Sequence, residues 1–189
     1  MAKTWSVVPP PVIQATVCDA LRSIDPRVIG LSKISYDGRL MKDDPRYQER
    51  PFAYELYYQL RKLQEAGRME LQDVVVQSEV SKGYQGIGLI PDLILHIPGR
   101  TDANMAAFEF KLSGNLRNHQ DLFKLVRLKR ELGYREAFMI IVGSLAETRD
   151  WLRAADALTT SDGEEICIIV YDPTSSERVV LTKSVRIRR

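Results

Sequence analysis

Asp92, Glu109 and Lys111 combine side-chain types and a spacing that could hydrolyse a phosphate ester. Asp92 follows Pro91 in the apolar segment IPDLILHI, and Glu109 and Lys111 flank Phe110 in the apolar segment AAFEFKL. Short apolar segments of this kind predict β-strands, whose side chains are largely buried. Two acids and a lysine in such strands need compensation, which a divalent metal ion and a phosphate group would supply.

The spacing within these strands predicts where the charged side chains point. Residues two apart share a face of a strand, so Glu109 and Lys111 point to one side and Phe110 points to the other, into the core. If the connecting loop is symmetric about Arg100-Thr101, Asp92 lies directly across from Glu109. Two facing carboxylates repel each other, and one would take up a proton unless a cation such as Mg²⁺ lies between them.

Lys111 would have a catalytic role in such a site. It could hold or polarise the water that attacks phosphorus and offset charge in the transition state, while the metal acts as a Lewis acid. The alternative is a cross-strand salt bridge between Lys111 and one acid, with Pro91 only opening a strand. That alternative leaves one acid unpaired on an apolar face, whereas this chain has only one Pro-Asp dipeptide and only one acid two positions before a lysine.

Pro91, Asp92, Glu109 and Lys111, in this order on two adjacent strands, resemble the motif of the PD-(D/E)xK nuclease superfamily. The resemblance covers roughly residues 46–172. It implies a restriction-endonuclease-like αβββαβ core, in which a helix, three strands, a helix and a strand follow one another.

The resemblance also implies an activity and a cofactor. We expect a metal-dependent endonuclease that hydrolyses phosphodiester bonds in DNA, with RNA not excluded, to leave a 5′-phosphate and a 3′-hydroxyl. Asp92 and Glu109 would hold Mg²⁺ or Mn²⁺ with the Phe110 carbonyl, and Lys111 would activate water. The superfamily also contains members that keep the fold without catalysis, so a nucleic-acid-binding or assembly subunit is the alternative.

Two further catalytic residues are expected on helices. Many relatives carry an additional acid on the first helix, and Glu55 matches it because it borders the buried stripe at Leu56. A solvated helix-surface glutamate is the alternative for Glu55, and Glu79, on the strand before the hairpin, is its competitor. Related nucleases often place a glutamine on the helix after the lysine strand, and Gln120 is the matching residue.

Basic and aromatic residues near these segments could contact nucleic acid. Several occur at helical spacing opposite a leucine stripe, where they could track a phosphate backbone or form an ordinary solvated face. Others lie in the glycine-rich segment 81–88 and could enter a groove or stack on a base. The candidate contacts are Lys82, Tyr84, Arg117, Lys124 and Arg127.

The elements that must position these residues follow from hydrophobic periodicity and turn signals. A short helix that Asp25-Pro26 ends comes first. The later order is helix, three strands, helix, strand, helix and two strands, which predicts an α/β (α+β) fold with a central mixed sheet flanked by helices. The predicted helices are 46–66, 118–132 and 146–157, and the predicted strands are 73–80, 89–97, 106–112, 137–144, 165–172 and 178–187.

Length and composition agree with one globular domain. The chain of 189 residues is 44% hydrophobic, enough for one core. We divide it into an N-terminal extension (1–45), a catalytic core (46–172) and a C-terminal strand with a basic tail (173–189). The net charge is only +2, so nucleic-acid affinity must come from local clusters of basic residues.

The sequence also bears on location and assembly. No apolar run approaches the roughly 20 residues that span a bilayer, and the first residues lack the apolar core of a signal peptide. Cys18 and Cys167 are too few for a disulfide framework. We therefore expect a cytoplasmic protein that does not act at a membrane. Many relatives act as dimers or within larger nucleic-acid-processing complexes, which leaves the oligomeric state open.

Overall fold

The computed structural model describes residues 10–31, 46–67, 74–78, 89–99 and 103–188. The helices are α1 (Pro10–Arg22), α2 (Pro26–Ile29), α3 (Glu49–Glu65), α4 (Gln120–Leu132) and α5 (Leu145–Ala157). The strands are β1 (Gly30–Leu31), β2 (Arg46–Tyr47), β3 (Val75–Ser78), β4 (Leu93–His96), β5 (Asn104–Leu112), β6 (Glu136–Val142), β7 (Thr159–Tyr171) and β8 (Val179–Ile187).

Six of these strands form one mixed sheet in the order β3-β4-β5-β6-β7-β8. Strands β3, β4 and β5 run antiparallel to one another, β5, β6 and β7 run parallel, and β8 is antiparallel to β7. The parallel connections pass through α4 and α5, as crossovers between parallel strands require. The fold is therefore α+β with a central mixed sheet, as the sequence predicts, and β8 is the expected edge strand.

Apolar side chains on the two faces of the sheet form two separate cores. On one face, α1, α2 and α3 pack against strand residues that include Phe108 and Phe110. On the other face, α4 and α5 pack against strand residues that include Ala107 and Ile141. The segment predicted as an N-terminal extension contributes to the first core, because Val17 in α1 is fully buried.

The observed boundaries agree with the predicted elements except at a few ends. The predicted helix from residue 46 begins at Glu49, because Arg46–Tyr47 instead pairs antiparallel with Gly30–Leu31. Strand β4 is shorter than the predicted segment 89–97 and begins at Leu93, immediately after the Pro91-Asp92 dipeptide. Strand β7 is longer than predicted and begins at Thr159.

Local interactions fix the helices that flank the sheet on its second face. Helix α4 ends at Gly133, whose φ of 68° is the left-handed conformation that glycine adopts without strain. Its N-terminus is held against α5, because the Trp151 indole N–H donates to the Asn118 carbonyl oxygen at 3.1 Å. The ring of Trp151 also stacks on His119. Within the described ranges, no helix has both the length and the apolar character needed to span a bilayer.

Candidate active site

The β4–β5 hairpin brings the two predicted metal-binding acids to the same place. Leu93 pairs with Phe108, and the Asp92 N–H donates to the Phe108 carbonyl oxygen at 3.1 Å, so Asp92 lies beside Glu109 just outside the paired residues. The pair of Leu93 with Phe108 has the register that a loop symmetric about Arg100-Thr101 predicts. The site therefore lies where β4 begins and β5 approaches its end.

Asp92 takes the place of a missing strand partner at this point. In an antiparallel pair, the N–H groups of every second residue point to the same neighbouring strand, so the Phe108 and Phe110 N–H groups both point towards β4. Because β4 begins at Leu93, it has no backbone carbonyl in position to accept from the Phe110 N–H. The Asp92 Oδ2 atom instead accepts a hydrogen bond from the Phe110 N–H at 2.7 Å. Burial raises the pKa of Asp92, and this hydrogen bond and nearby lysine charges offset the rise only in part. The Phe110 carbonyl points to the same edge as its N–H, which brings it beside Asp92.

Glu109 is buried on the opposite side of the strand from Phe110. Its residue is only 2% exposed, and it faces α4 from a largely apolar surface. Burial and the neighbouring charge of Asp92 raise the pKa of Glu109 to about 8, although Lys124 opposes the shift. The Lys124 Nζ atom lies 2.6 Å from Glu109 Oε1. This short ion pair is the contact through which Lys124 opposes the rise in the pKa of Glu109.

Lys111 lies on the same face as Glu109 and sits among acids. Its closest carboxylate partner is Asp121 in the first turn of α4, with Nζ 3.7 Å from Oδ2. Burial alone lowers the pKa of Lys111, but the charges of Asp121, Glu49, Asp92 and Glu109 outweigh it and raise the pKa. Lys111 is therefore an ammonium group at neutral pH, suited to orient water or a phosphate oxygen rather than to accept a proton.

Glu49 is an acid of this site that sequence reasoning missed. It lies in the first turn of α3, and its Oε1 atom accepts a hydrogen bond from the Leu112 N–H at 3.2 Å. Glu49 and Asp92 thus satisfy alternate N–H groups at the exposed edge of β5, where β4 no longer runs alongside. The signal that could have found Glu49 is the enrichment of acids in the first turn of helices, which becomes visible only if the helix begins at residue 49.

Glu55, the acid that the sequence favoured on this helix, has a different environment. Its carboxylate Oε1 accepts a hydrogen bond from Gln59 Nε2 at 2.7 Å, one turn further along α3. A cavity of about 210 Å³ opens beside Asp92, and α3 lines it with Glu49, Arg50, Ala53 and Tyr54 rather than with Glu55. Helix α3 therefore brings Glu49 to the hairpin acids, about two turns before Glu55.

A second cavity of about 220 Å³ lies beside Lys111 at the N-terminus of α4. Gln120 lines this cavity, as does Arg117, so both predicted residues lie near Lys111. The other basic residues expected to track a phosphate backbone are engaged within the protein. Lys124 pairs with Glu109, and the Arg127 guanidinium forms two hydrogen bonds with the Glu131 carboxylate.

Three predicted site residues, Glu79, Lys82 and Tyr84, lie outside the described residues. In the part of the chain that the structure describes, no group of three or more His, Cys, Asp or Glu side chains could hold a metal ion. A site formed here would therefore rest on Asp92, Glu109, the Phe110 carbonyl and water. Mg²⁺ accepts such a set, since it commonly keeps several waters and uses one or two carboxylates.

Comparison with known proteins identified no relative of this chain. No family model matches it, and neither the curated proteins nor the solved structures contain a match.

Proposed function

We propose that this protein is a Mg²⁺- or Mn²⁺-dependent endonuclease that hydrolyses phosphodiester bonds in DNA. A single observation carries the proposal: Glu109 is a buried carboxylate beside a second carboxylate, Asp92, at the start of the neighbouring hairpin strand. Such a pair stores electrostatic repulsion that a bound cation would relieve. The order α3-β3-β4-β5-α4-β6 also fits the restriction-endonuclease-like core that the sequence motif implies.

The proposed roles follow from the contacts of each residue. Asp92 and Glu109 would hold the metal with the Phe110 carbonyl, and the metal would supply Lewis-acid stabilisation of the phosphate and an acidified water. Lys111, as an ammonium group, would orient the attacking water and offset charge that develops on the phosphate oxygens. Glu49 would keep the end of β5 in place through the Leu112 N–H and contribute negative charge beside Lys111.

Cleavage of plasmid and single-stranded DNA, with Mg²⁺ or with EDTA, tests the proposal. We expect Mg²⁺-dependent cleavage by the wild-type protein. The variants Lys111→Ala and Asp92→Asn should lose about 100-fold or more of the rate, a typical loss when a positioned electrostatic or acid–base group is removed.

Matched variants control for charge and folding. Lys183 forms an ion pair with Asp156 at 2.5 Å on the far edge of the sheet, away from the hairpin. Lys183→Ala and Asp156→Asn therefore make the same chemical changes and should leave the rate unchanged. Folded Lys111→Ala and Asp92→Asn proteins that cleave as fast as these controls would reject the proposed active site.

One observation favours the alternative of a non-catalytic nucleic-acid-binding or assembly subunit. Lys124 already neutralises Glu109 at 2.6 Å, so the buried acid has a partner without any metal ion. A titration with Mn²⁺, followed by the electron paramagnetic resonance signal of the free ion, separates the two functions. Binding that depends on Asp92 and Glu109 supports the nuclease, whereas the absence of binding supports the subunit.

A further inference from the structure

Helix α3 carries an exposed row of basic and aromatic side chains that begins at the cavity beside Asp92. Tyr54 is 57% exposed and Tyr58 is 53% exposed. Large aromatic side chains are usually buried, so two exposed tyrosines one helical turn apart are unusual. Arg50, one turn before Tyr54, is also exposed and lines the cavity with it.

The row continues along the solvent side of α3. Residues four apart are neighbours on a helix surface, so Arg50, Tyr54, Tyr58 and Lys62 follow one another with a shift of about 40° at each step. The Lys62 ammonium lies 5.4 Å from the centre of the Tyr58 ring, which keeps a cation beside that ring. The four positions span about 18 Å at 1.5 Å per residue.

Two of the four side chains in the row, Arg50 and Lys62, are cationic, and none of the four is acidic. Arg61 lies on the same side of the helix, one turn after Tyr58, and its guanidinium pairs with Glu65 at 3.6 Å. Over the whole of α3, Arg50, Arg61 and Lys62 are balanced by Glu49, Glu55 and Glu65, so the positive charge belongs to the row and not to the helix. The opposite side of α3 is apolar and packs in the core through residues such as Phe52 and Leu56.

The geometry points to a binding track for single-stranded nucleic acid on α3, formed by Arg50, Tyr54, Tyr58 and Lys62, that leads into the cavity beside Asp92. Sequence-tolerant single-strand sites combine cations that contact the backbone with aromatic rings on which bases stack, and this row offers both. A duplex would present its phosphates but not its base faces to the tyrosines. The inference rests on the proposed function for one point, that the ligand is a nucleic acid. It adds that the nucleic-acid strand near the cleavage site is single-stranded.

Fluorescence anisotropy of a labelled oligothymidine in EDTA tests the track without cleavage. We expect Tyr54→Ala and Tyr58→Ala each to weaken binding about 5- to 150-fold, as the loss of one stacked base predicts. Tyr58→Phe should bind like the wild type, because it keeps the ring and loses only the hydroxyl. Binding of an abasic oligonucleotide of equal length should not respond to either alanine variant, since it has no base to stack.

Lys62→Gln tests the electrostatic part of the track. It should weaken binding to both oligonucleotides and reduce the slope of log affinity against log salt by about 0.7. Arg153 on α5 is a matched control, because its side chain is 73% exposed on the other face of the sheet. Arg153→Gln should leave both the affinity and the slope unchanged.

Several results would overturn the inference. These are oligothymidine binding by the alanine variants at wild-type affinity, an equal loss for the abasic oligonucleotide, or an equal effect of Arg153→Gln. Photo-crosslinking of wild-type protein to a bromodeoxyuridine oligonucleotide, with mass spectrometry, gives a result that does not depend on variant folding. Crosslinks must map to α3, and crosslinks only elsewhere would reject the track.

Failure of the track and failure of the nuclease can be told apart. If oligothymidine binding depends on the tyrosines but cleavage does not depend on Lys111, the proposed active site is wrong and the binding track stands. If cleavage depends on Lys111 but single-strand binding is unchanged in both tyrosine variants, only the binding track is wrong.

Discussion

Glu109 is the most deeply buried acid of the proposed site. A buried carboxylate can be protonated, paired with an ammonium group or bound to a metal ion, and each state removes the cost of an isolated charge. The structure provides the first two options, because burial and Asp92 raise the pKa of Glu109 to about 8 and Lys124 lies 2.6 Å away. A metal ion would compete with both the proton and the lysine.

The raised pKa of Glu109 predicts how stability depends on pH without metal. Its folded-state pKa of about 8 exceeds the ordinary glutamate pKa of 4.5, so the folded protein binds this proton more tightly than the unfolded chain. The resulting stabilisation is complete below about pH 4.5 and is lost as the pH rises through about 8. Glu109→Gln should remove this loss, and urea denaturation in EDTA at several pH values measures it.

The difference in the free energy of unfolding between Glu109→Gln and the wild type shows whether Glu109 holds its proton. The free energy of unfolding of Glu109→Gln, relative to wild type, should increase from about pH 5 to about pH 9. Asp150→Asn changes an acid whose side chain is 95% exposed and should show no such trend. A constant difference between Glu109→Gln and wild type across this range would contradict a Glu109 that holds its proton.

The ends of β5 and β6 meet next to Lys111, and glycine makes this approach possible. Gly143 follows β6 with a φ of 148°, a conformation that side chains rarely adopt. A Cβ atom at Gly143 would collide with the Ser113 side chain, which begins the 3₁₀ turn after β5. The Ser113 hydroxyl in turn donates to Glu147 Oε2 at 2.7 Å, linking this turn to α5.

Gly143→Ala should therefore destabilise the protein and disturb the end of β5. Backbone strain alone costs about 1–3 kcal/mol, and the collision with Ser113 adds to it. Gly114→Ala is a matched control in the 3₁₀ turn, because a Cβ atom there meets nothing within 4 Å. Urea denaturation checks the difference, and equal stability of the two variants would show that the approach of the two strand ends is not tight.

Helix α5 depends on its N-terminal capping box. The Ser144 hydroxyl accepts from the Glu147 N–H, and the Glu147 carboxylate accepts from the Ser144 N–H at 3.1 Å. Ser144→Ala should lower the free energy of unfolding by about 1 kcal/mol. Ser176→Ala, at an exposed loop position, is the comparison in thermal or urea unfolding. If Ser144→Ala lowers the free energy of unfolding no more than Ser176→Ala does, the capping box does not stabilise α5.

The sequence predicts most elements because their signals are local. Leucine periodicity and Gly133 define α4, and continuous apolar runs define β6 and β7. The start of α3 is not local, since it depends on Arg46–Tyr47 pairing with Gly30–Leu31 about 15 residues earlier. Because of that pairing α3 begins at Glu49, which places Glu49 in its first turn. A helix predicted from residue 46 puts Glu49 in its interior, so Glu49 was not recognised as the acid that contacts β5.

In the whole molecule, the candidate site lies where the sheet changes from antiparallel to parallel. Strand β5 has an antiparallel neighbour, β4, and a parallel neighbour, β6. The pairing of Leu93 with Phe108 follows from loop symmetry, so the sequence could place Asp92 close to Glu109. The contact between Glu109 and Lys124 could not be predicted, because it depends on how α4 packs across the sheet. The sequence treated Lys124 as a phosphate contact, whereas the structure gives it a buried partner.

Metal binding should stabilise the whole molecule if Asp92 and Glu109 hold a shared cation. A ligand that binds only the folded state at about 100 times its Kd stabilises by about 2.7 kcal/mol, which raises the Tm of a domain of this size by about 5–11 °C. We expect Mn²⁺ to produce such a rise in the wild type but not in Asp92→Asn. Asp150→Asn should keep the full rise, because its carboxylate lies on the surface of α5. An unchanged wild-type Tm at saturating Mn²⁺, or an equal rise in Asp92→Asn, would leave the paired acids without a metal and favour the ion pair between Glu109 and Lys124 as the working state.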